Sequence, residues 1–262
     1  MLELIDKGSG SDTHPTPMLF VHGAGHAAWC WDEHFLDFFA DRGYRAVALS
    51  LRGHGMSTMS TPLNSCSIAD YVDDVSQVVE QLARVPVLIG HSMGGFVVQK
   101  FLESHSSPAA VLMASVPPRS YSATQLRAML RHPWLSVKVN VTRDPASIYT
   151  SPALLREIQF SEHTPEAAVE NCFSRLDGES YRVMALEMAL LNRVRPEHIQ
   201  TPLLVLGGDA DGHFNLKAFR TTARAYGTVP EIFPRMGHNM MLEPGWRAVA
   251  ERIDNWLSGH RL

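Results

Sequence analysis

Residues 87–98 read VLIGHSMGGFVV, a short apolar run followed by a glycine-rich turn and a second apolar run. The apolar run that begins at Val87 predicts a buried parallel strand. Apolar residues recur at helical spacing after Met93, so we expect a helix to follow the strand at once. Between them lies a G-x-S-x-G motif, in which glycines allow a sharp turn and leave the central serine exposed in a strained conformation. We therefore predict that Ser92 is a nucleophile beside the unpaired N–H groups of a helix N-terminus.

Strand-like and helix-like segments alternate on both sides of this stretch. This alternation is typical of a mostly parallel sheet with helices on both faces, so we predict an α/β fold. The predicted strands lie near residues 2–5, 18–21, 44–50, 87–91, 109–114, 203–208 and 230–233. The predicted helices of this core lie near residues 29–41, 68–82, 93–101, 216–226 and 246–257, and Ser67 is the expected cap of the second.

The alternation stops at Pro117-Pro118 and resumes at Leu203. Between these points only helical patterns occur, at residues 124–132, 152–158, 165–176 and 181–192. We therefore predict a core made of residues 1–117 and 201–262, with a helical cap or lid, residues 118–200, over the open end of the sheet. A packed appendage without a gating role is the alternative.

Composition excludes several classes of function. The 262 residues are 45% hydrophobic, which fits one α/β domain with an insertion. A net charge of −4 gives no basic field for nucleic acid or anionic membranes, and no apolar run of about 18 residues predicts a membrane span. Three widely spaced cysteines and an N-terminus unlike a signal peptide indicate a cytoplasmic protein with reduced thiols and no zinc site. These features do not determine the oligomeric state.

A serine nucleophile needs a base within hydrogen-bond reach, and in such sheets functional groups collect at the carboxyl ends of strands. His238 lies in the loop between the last predicted strand and the last helix, so we predict that it is the general base. We call the turn at residues 90–94 the elbow. The strand after the helix that follows this elbow ends without an acid, whereas the next strand is followed by Asp209 and Asp211. The spacing favours Asp211 as the partner of the base, and Asp209 stays open.

A tetrahedral intermediate also needs two donors for its oxyanion. We predict that these are the backbone N–H of Met93, directly after the nucleophile, and that of Ala24, in a glycine-rich turn after the second strand.

Taken together, these motifs resemble the α/β-hydrolase superfamily; they comprise residues 20–23, 52–57, 90–95, 208–211 and 237–238. The resemblance implies the α/β-hydrolase fold, with a helical cap inserted before the acid-bearing strand. It also implies a triad of Ser92, Asp211 and His238 and no metal or organic cofactor.

Two segments indicate different branches of that superfamily. Residues 22–31 are similar to plant methylesterases and hydroxynitrile lyases, whereas residues 52–55 resemble esterases, acylglycerol lipases and C–C hydrolases. Met93 departs from the elbow of cofactor-free dioxygenases, and His91 stands where C–C hydrolases often carry asparagine. We predict a carboxylic ester hydrolase. A C–C hydrolase, a hydroxynitrile-lyase-like enzyme, a cofactor-free dioxygenase and a non-catalytic ligand-binding protein remain as alternatives.

The chain has twelve methionines, several of them in the insertion or beside the predicted site. Flexible, polarisable side chains of this kind fit an adaptable apolar pocket, so we predict a small-molecule ester of small to medium size. The predicted substrate contacts are His26, Trp29, Met113, Trp134, Met184, Met188 and Met240.

Overall fold

A seven-stranded sheet forms the centre of the computed structural model, which describes residues 1–118, 130, 133–191 and 193–262. Its strands are β1 (Glu3–Lys7), β2 (Met18–Val21), β3 (Ala46–Ser50), β4 (Val87–His91), β5 (Ala110–Met113), β6 (Leu203–Gly208) and β7 (Glu231–Phe233). Their spatial order is β1-β3-β2-β4-β5-β6-β7. Only β1 runs antiparallel to its neighbour, and all other pairs in this sheet are parallel.

Helices cover both faces of the sheet, as expected of a parallel sheet whose strands are continuous apolar runs. The α-helices are α1 (Trp29–Asp32), α2 (Phe35–Ala40), α3 (Ile68–Gln81), α4 (Met93–Leu102), α5 (Pro133–Thr142), α6 (Pro152–Gln159), α7 (Glu166–Ser174), α8 (Leu216–Ala225) and α9 (Trp246–Gly259). A π-helix spans Arg182–Leu191, and 3₁₀ turns span Leu63–Ser65, Pro145–Ile148 and Pro196–His198.

Strand β4 lies in the middle of the sheet, between β2 and β5. Every residue of β2 to β6 is buried, and their side chains form one continuous core with the flanking helices. The turn from β4 into α4 therefore lies at the centre of the carboxyl edge of the sheet. The predicted α/β fold, with a mostly parallel sheet, is confirmed.

The loop after β3 is fastened to α3. Ser67 caps this helix as predicted, through a capping box in which it exchanges hydrogen bonds with Asp70. The Arg52 guanidinium donates to Asp70 at 2.9 Å and to the buried Asp74 at 2.6 Å, and the Arg52 backbone N–H also donates to Asp74. These bonds hold residues 52–57 against the helix.

Several predicted elements differ from the structure. The single helix expected over residues 29–41 is two short helices, because His34 leaves the helical region at φ −149° and its ring stacks on Trp246. Helix α5 was not predicted. The helix predicted at residues 124–132 lies outside the described residues, apart from residue 130. In the part of the chain that the structure describes, no helix is both long and apolar enough to cross a membrane.

Candidate active site

Ser92 lies in the turn between β4 and α4, with φ +50° and ψ −114°. A non-glycine residue rarely adopts this conformation, and the surrounding contacts hold it there. The Ser92 N–H donates to the carbonyl of Met113 at 3.0 Å. At Gly94, a Cβ would lie 2.3 Å from the carbonyl oxygens of Val21 and His22, so only glycine allows α4 to approach β2 this closely. The strained turn predicted from the motif is therefore present.

His238 and Asp211 form a buried pair. The His238 Nδ1–H donates to Asp211 Oδ2 at 2.8 Å, and both side chains are almost inaccessible to solvent. Asp211 Oδ1 accepts the backbone N–H groups of His213 and Phe214 at 2.7 and 2.8 Å. Asp209, the alternative acid, instead accepts the N–H of Arg235. The structure thus pairs the predicted base with Asp211.

The electrostatic environment keeps the His238 imidazole neutral. Burial lowers its pKa to about 3, and the neighbouring His26 contributes in the same direction. Because Nδ1 donates its proton to Asp211, Nε2 is left with its lone pair. A neutral imidazole in this tautomer can accept a proton.

Two further histidines flank this pair. The His91 Nε2–H donates to the carbonyl of His238 at 3.0 Å, which ties the His238 loop to the end of β4. The His213 ring lies 4.5 Å from that of His238, between centroids. Burial lowers the pKa of His213 to about 3 and that of His91 well below the usual value. Three neutral imidazoles therefore stand side by side next to the elbow.

The turn after β2 lies against Ser92, since a Cβ at Gly23 would be 3.1 Å from the Ser92 Cβ. Ala24 follows Gly23 in this turn, and Met93 is the first residue of α4. Among the described residues, neither the Ala24 N–H nor the Met93 N–H has an acceptor. Within the described residues, the turn after β2 and the start of α4 therefore each carry a backbone donor without an acceptor next to the serine.

His26 braces this turn. Its Nδ1–H donates to the carbonyl of Ala24 at 3.0 Å, and its Nε2 accepts from the side chain of Asn239 at 3.3 Å. Its ring stacks on Trp29, which is partly buried. Burial lowers the pKa of His26 to about 4. Both predicted substrate contacts in this loop, His26 and Trp29, therefore lie next to the site. Both ring nitrogens of His26 are hydrogen-bonded within the protein.

The other predicted substrate contacts are scattered. Met113, Met188 and Met240 are buried in the main core, where they pack against the sheet and its helices, and Met184 is partly buried against the same core. Trp134 is 81% exposed on α5. The structure therefore does not bring Trp134 to a pocket, since its helix presents the ring to solvent.

Sequence patterns missed two polar clusters near the site. Tyr149, Gln159 and His213 contact one another beside His238, and Gln159 and His213 are separated by 3.1 Å. Glu179 of the insertion bonds to His54 and Tyr71. An isolated glutamate or glutamine in a helical insertion carries no motif, so no signal in one sequence distinguishes these residues. Within the described ranges, no group of three or more His, Cys, Asp or Glu side chains could hold a metal ion.

A model described as the "Alpha/beta hydrolase family" matches residues 18–252. A non-heme chloroperoxidase from Burkholderia pyrrocinia is 38% identical over 108 residues, which are 39% of this chain and 38% of that protein. Methylesterase 18 from Arabidopsis thaliana is 34% identical over 79 residues, 29% of each chain. The matches thus span well under half the length of these curated relatives.

Solved structures resemble the whole chain. An esterase from Exiguobacterium antarcticum, EaEST, superposes with a TM-score of 0.75 at 20% identity. The superposition covers 98% of this chain and 95% of the esterase chain. At this level of identity the similarity shows a shared fold.

Proposed function

Because the chain belongs to the alpha/beta hydrolase family, we propose that it is a serine hydrolase that cleaves carboxylic esters through an acyl-enzyme. One observation carries this proposal: a strained serine lies at the carboxyl edge of the sheet, and the preceding residue, His91, is hydrogen-bonded to the loop of a buried Asp211–His238 pair whose imidazole is neutral. A hydroxyl is a weak nucleophile near neutral pH and requires such a base. The likeness to a methylesterase supports an ester as the substrate.

The mechanism follows from the roles of these groups. Ser92 Oγ attacks the carbonyl carbon while His238 Nε2 takes the hydroxyl proton, and Asp211 stabilises the imidazolium that forms. The N–H groups of Ala24 and Met93 bind the oxyanion of the tetrahedral intermediate. His238 then gives the proton to the leaving alcohol, and the acyl group remains on Ser92. A water molecule, deprotonated by His238, attacks this ester and releases the acid.

For the substrate, we propose esters of small to medium size with apolar groups. Trp29 and Met184, both partly buried against the core, are the predicted contacts whose placement supports this class. The expected result is faster hydrolysis of p-nitrophenyl butyrate than of an ester with a charged acyl chain. Preference for the charged ester would contradict this part of the proposal.

We also propose that residues 118–200 act as a cap. The insertion contacts the loop of the base directly, because the Asn239 N–H donates to the carbonyl of Gln159 at 2.9 Å. A cytoplasmic location is supported by the three cysteines, all of which are buried and free.

The hydroxynitrile-lyase alternative requires a cap lysine or a similar group near the serine. Lys138 is the only lysine of the insertion in the sequence. It lies exposed on α5 and donates to the carbonyl of Ser147 at 3.1 Å. This placement favours hydrolysis over the lyase reaction.

Burst kinetics on p-nitrophenyl acetate and butyrate test the proposal. Wild type should release a stoichiometric burst of nitrophenolate, and Ser92→Ala should lose both burst and turnover. Ser104→Ala, which changes an exposed serine two residues after α4, is the control and should match wild type. Labelling of Ser92 by a fluorophosphonate without turnover of any ester would overturn ester hydrolysis and direct assays to lyase and C–C cleavage. An absence of labelling would overturn the enzyme assignment.

A further inference from the structure

Residues 175–180 of the insertion lie against the turn that carries Ala24. The Asp177 N–H donates to the carbonyl of Gly25 at 2.8 Å, and the Asp177 carboxylate accepts the N–H of Gly55 at 2.7 Å. The Arg175 guanidinium covers the Trp29 ring at 4.2 Å. Residues 175–180 therefore join two loops of the core, one of which contains the proposed oxyanion donor.

Glu179 is the buried centre of this junction. Its side chain is 2% exposed, and it accepts hydrogen bonds from Tyr71 Oη at 2.8 Å, from the Ser180 N–H at 2.7 Å and from the Gly25 N–H at 3.4 Å. His54 Nε2 lies 3.2 Å from the same carboxylate. A buried carboxylate needs partners of this kind, and Glu179 obtains them from three separate segments of the core.

His54 supplies the opposite charge. Its Nδ1 and Nε2 both face acceptors, the carbonyl of Arg52 and the carboxylate of Glu179, so both nitrogens must carry protons. Burial works against this charge, but the attraction of Glu179 outweighs it and raises the pKa of His54. Burial likewise opposes ionisation of Glu179, yet His54 and the hydrogen bonds lower its pKa. The pair is ionised inside the protein.

Bonds to consecutive peptide groups fix the turn. The Gly23 carbonyl accepts the backbone N–H of His26 and the side-chain Nδ1–H of His22. The next peptide group is held at both ends, since the Ala24 carbonyl accepts from His26 Nδ1 and the Gly25 N–H donates to Glu179. Gly25 has φ +70°, a conformation that favours glycine. The Ala24 N–H, which has no acceptor among the described residues, is left for a ligand.

We propose that Glu179 is a positioning residue of the oxyanion hole, a carboxylate of the insertion that holds Gly25 and thereby aims the Ala24 N–H at the developing oxyanion. This inference rests on the proposed function. It assigns to the insertion a fixed part in the reaction, in addition to covering the site. Because donors of an oxyanion hole act through fixed geometry, loss of this contact should lower reactivity more than substrate binding.

The rate at which a fluorophosphonate labels Ser92 tests the proposal without a known substrate. In this reaction Ser92 Oγ bonds to phosphorus, fluoride leaves, and the phosphoryl oxygen occupies the oxyanion hole. Glu179→Gln keeps the shape of the side chain but removes its charge, and we expect labelling to slow about 10- to 100-fold. Glu187→Gln is the matched control, because Glu187 is also a buried carboxylate of the insertion but bonds to Ile68 and Arg182 instead. We expect its labelling rate to stay within about threefold of wild type.

A second variant covers the case in which Glu179→Gln does not fold. Glu179→Asp keeps the charge opposite His54 but is one methylene shorter, so it should fold and still label slowly. A trifluoromethyl ketone distinguishes a positioning role of Glu179 from a general effect on stability, because the affinity of this inhibitor depends on the oxyanion that forms when the serine adds to it. Its Ki should rise by the same factor as the labelling rate falls, while KM for the ester changes less than about threefold.

The outcomes are distinguishable. Labelling of both Glu179 variants at the wild-type rate would overturn the role of Glu179 and leave ester hydrolysis intact. Equal slowing in Glu187→Gln would reduce the effect to general destabilisation and also overturn it. Labelling of wild type without ester turnover would overturn only the proposed substrate, since the comparison of labelling rates still applies. A wild type that does not label would overturn the proposed function and this inference with it.

Discussion

Asp211 holds His238 with one carboxylate oxygen and its own loop with the other. Oδ2 accepts the His238 Nδ1–H at 2.8 Å, while Oδ1 accepts the N–H groups of His213 and Phe214. The loop bonds fix the carboxylate, and the fixed carboxylate selects the His238 tautomer with a free Nε2. The orientation of the proposed base is therefore set by the backbone after β6.

Asp211→Asn should lower kcat on p-nitrophenyl acetate by about 10³- to 10⁴-fold, because an amide no longer selects the required tautomer or stabilises the imidazolium. Asp209→Asn is the control, since the side chain of Asp209 accepts only the N–H of Arg235 among the described residues. Its kcat should stay within about threefold of wild type. Equal losses in the two variants would contradict the assignment of the acid.

The pH dependence of activity should reflect the buried imidazole. Burial lowers the pKa of His238 to about 3, so the neutral, basic form persists well below pH 6.5. We expect the acid limb of the kcat/KM profile to fall below pH 6.5, measured on a neutral ester between pH 4 and 8. An acid limb at or above pH 6.5 would contradict this environment for His238.

Stability should fall in the same pH range. His26, His213 and His238 have folded-state pKa values lowered to about 4, 3 and 3, so the unfolded chain binds more protons below pH 6.5. The stability that depends on their neutral forms is present above pH 6.5 and is lost as the pH falls. Each should cost about 1 kcal/mol between pH 6.5 and 5.5. Urea unfolding at these two pH values measures the loss, and His213→Gln should reduce it by one histidine's share.

Backbone strain at Ser92 should be visible in stability. The conformation at φ +50° is unfavourable for any residue with a Cβ, so Ser92→Ala retains the strain and Ser92→Gly relieves it. We expect the free energy of unfolding of Ser92→Gly to exceed that of Ser92→Ala by about 1 kcal/mol, because relief of the strain outweighs the extra entropy that glycine gains on unfolding. A less stable glycine variant would show that the surrounding contacts do not strain this residue.

Two arginine–aspartate pairs should differ in their effect on stability. Arg52→Ala leaves the carboxylate of Asp74, which is 1% exposed, buried without its cation and should cost about 3 kcal/mol or more. Arg45→Ala breaks a pair with Asp6 that is more than one-third exposed and should cost less than about 1 kcal/mol. Chemical denaturation of both variants measures the difference. Similar losses would mean that burial does not determine the strength of the Arg52 pair.

Local patterns in the sequence were sufficient for the fold. The apolar runs at β2 to β6, the elbow motif at residues 90–94 and the Ser67 cap depend on neighbours a few residues away, so their physical cause is readable along the chain. The break at His34 was missed because its cause, stacking on Trp246, comes from a distant helix.

The same distinction between local and long-range causes applies to the residues of the site. The strained turn at Ser92 was predictable from the sequence alone, because the glycines and the strand–helix pattern that force this turn are adjacent in the chain. Three features depend on tertiary packing: Asp211, rather than Asp209, faces His238; Trp134 is turned to solvent; and Glu179 lies under the Ala24 turn. The distance between such residues depends on how strands, loops and insertion pack together, and no short-range pattern encodes it.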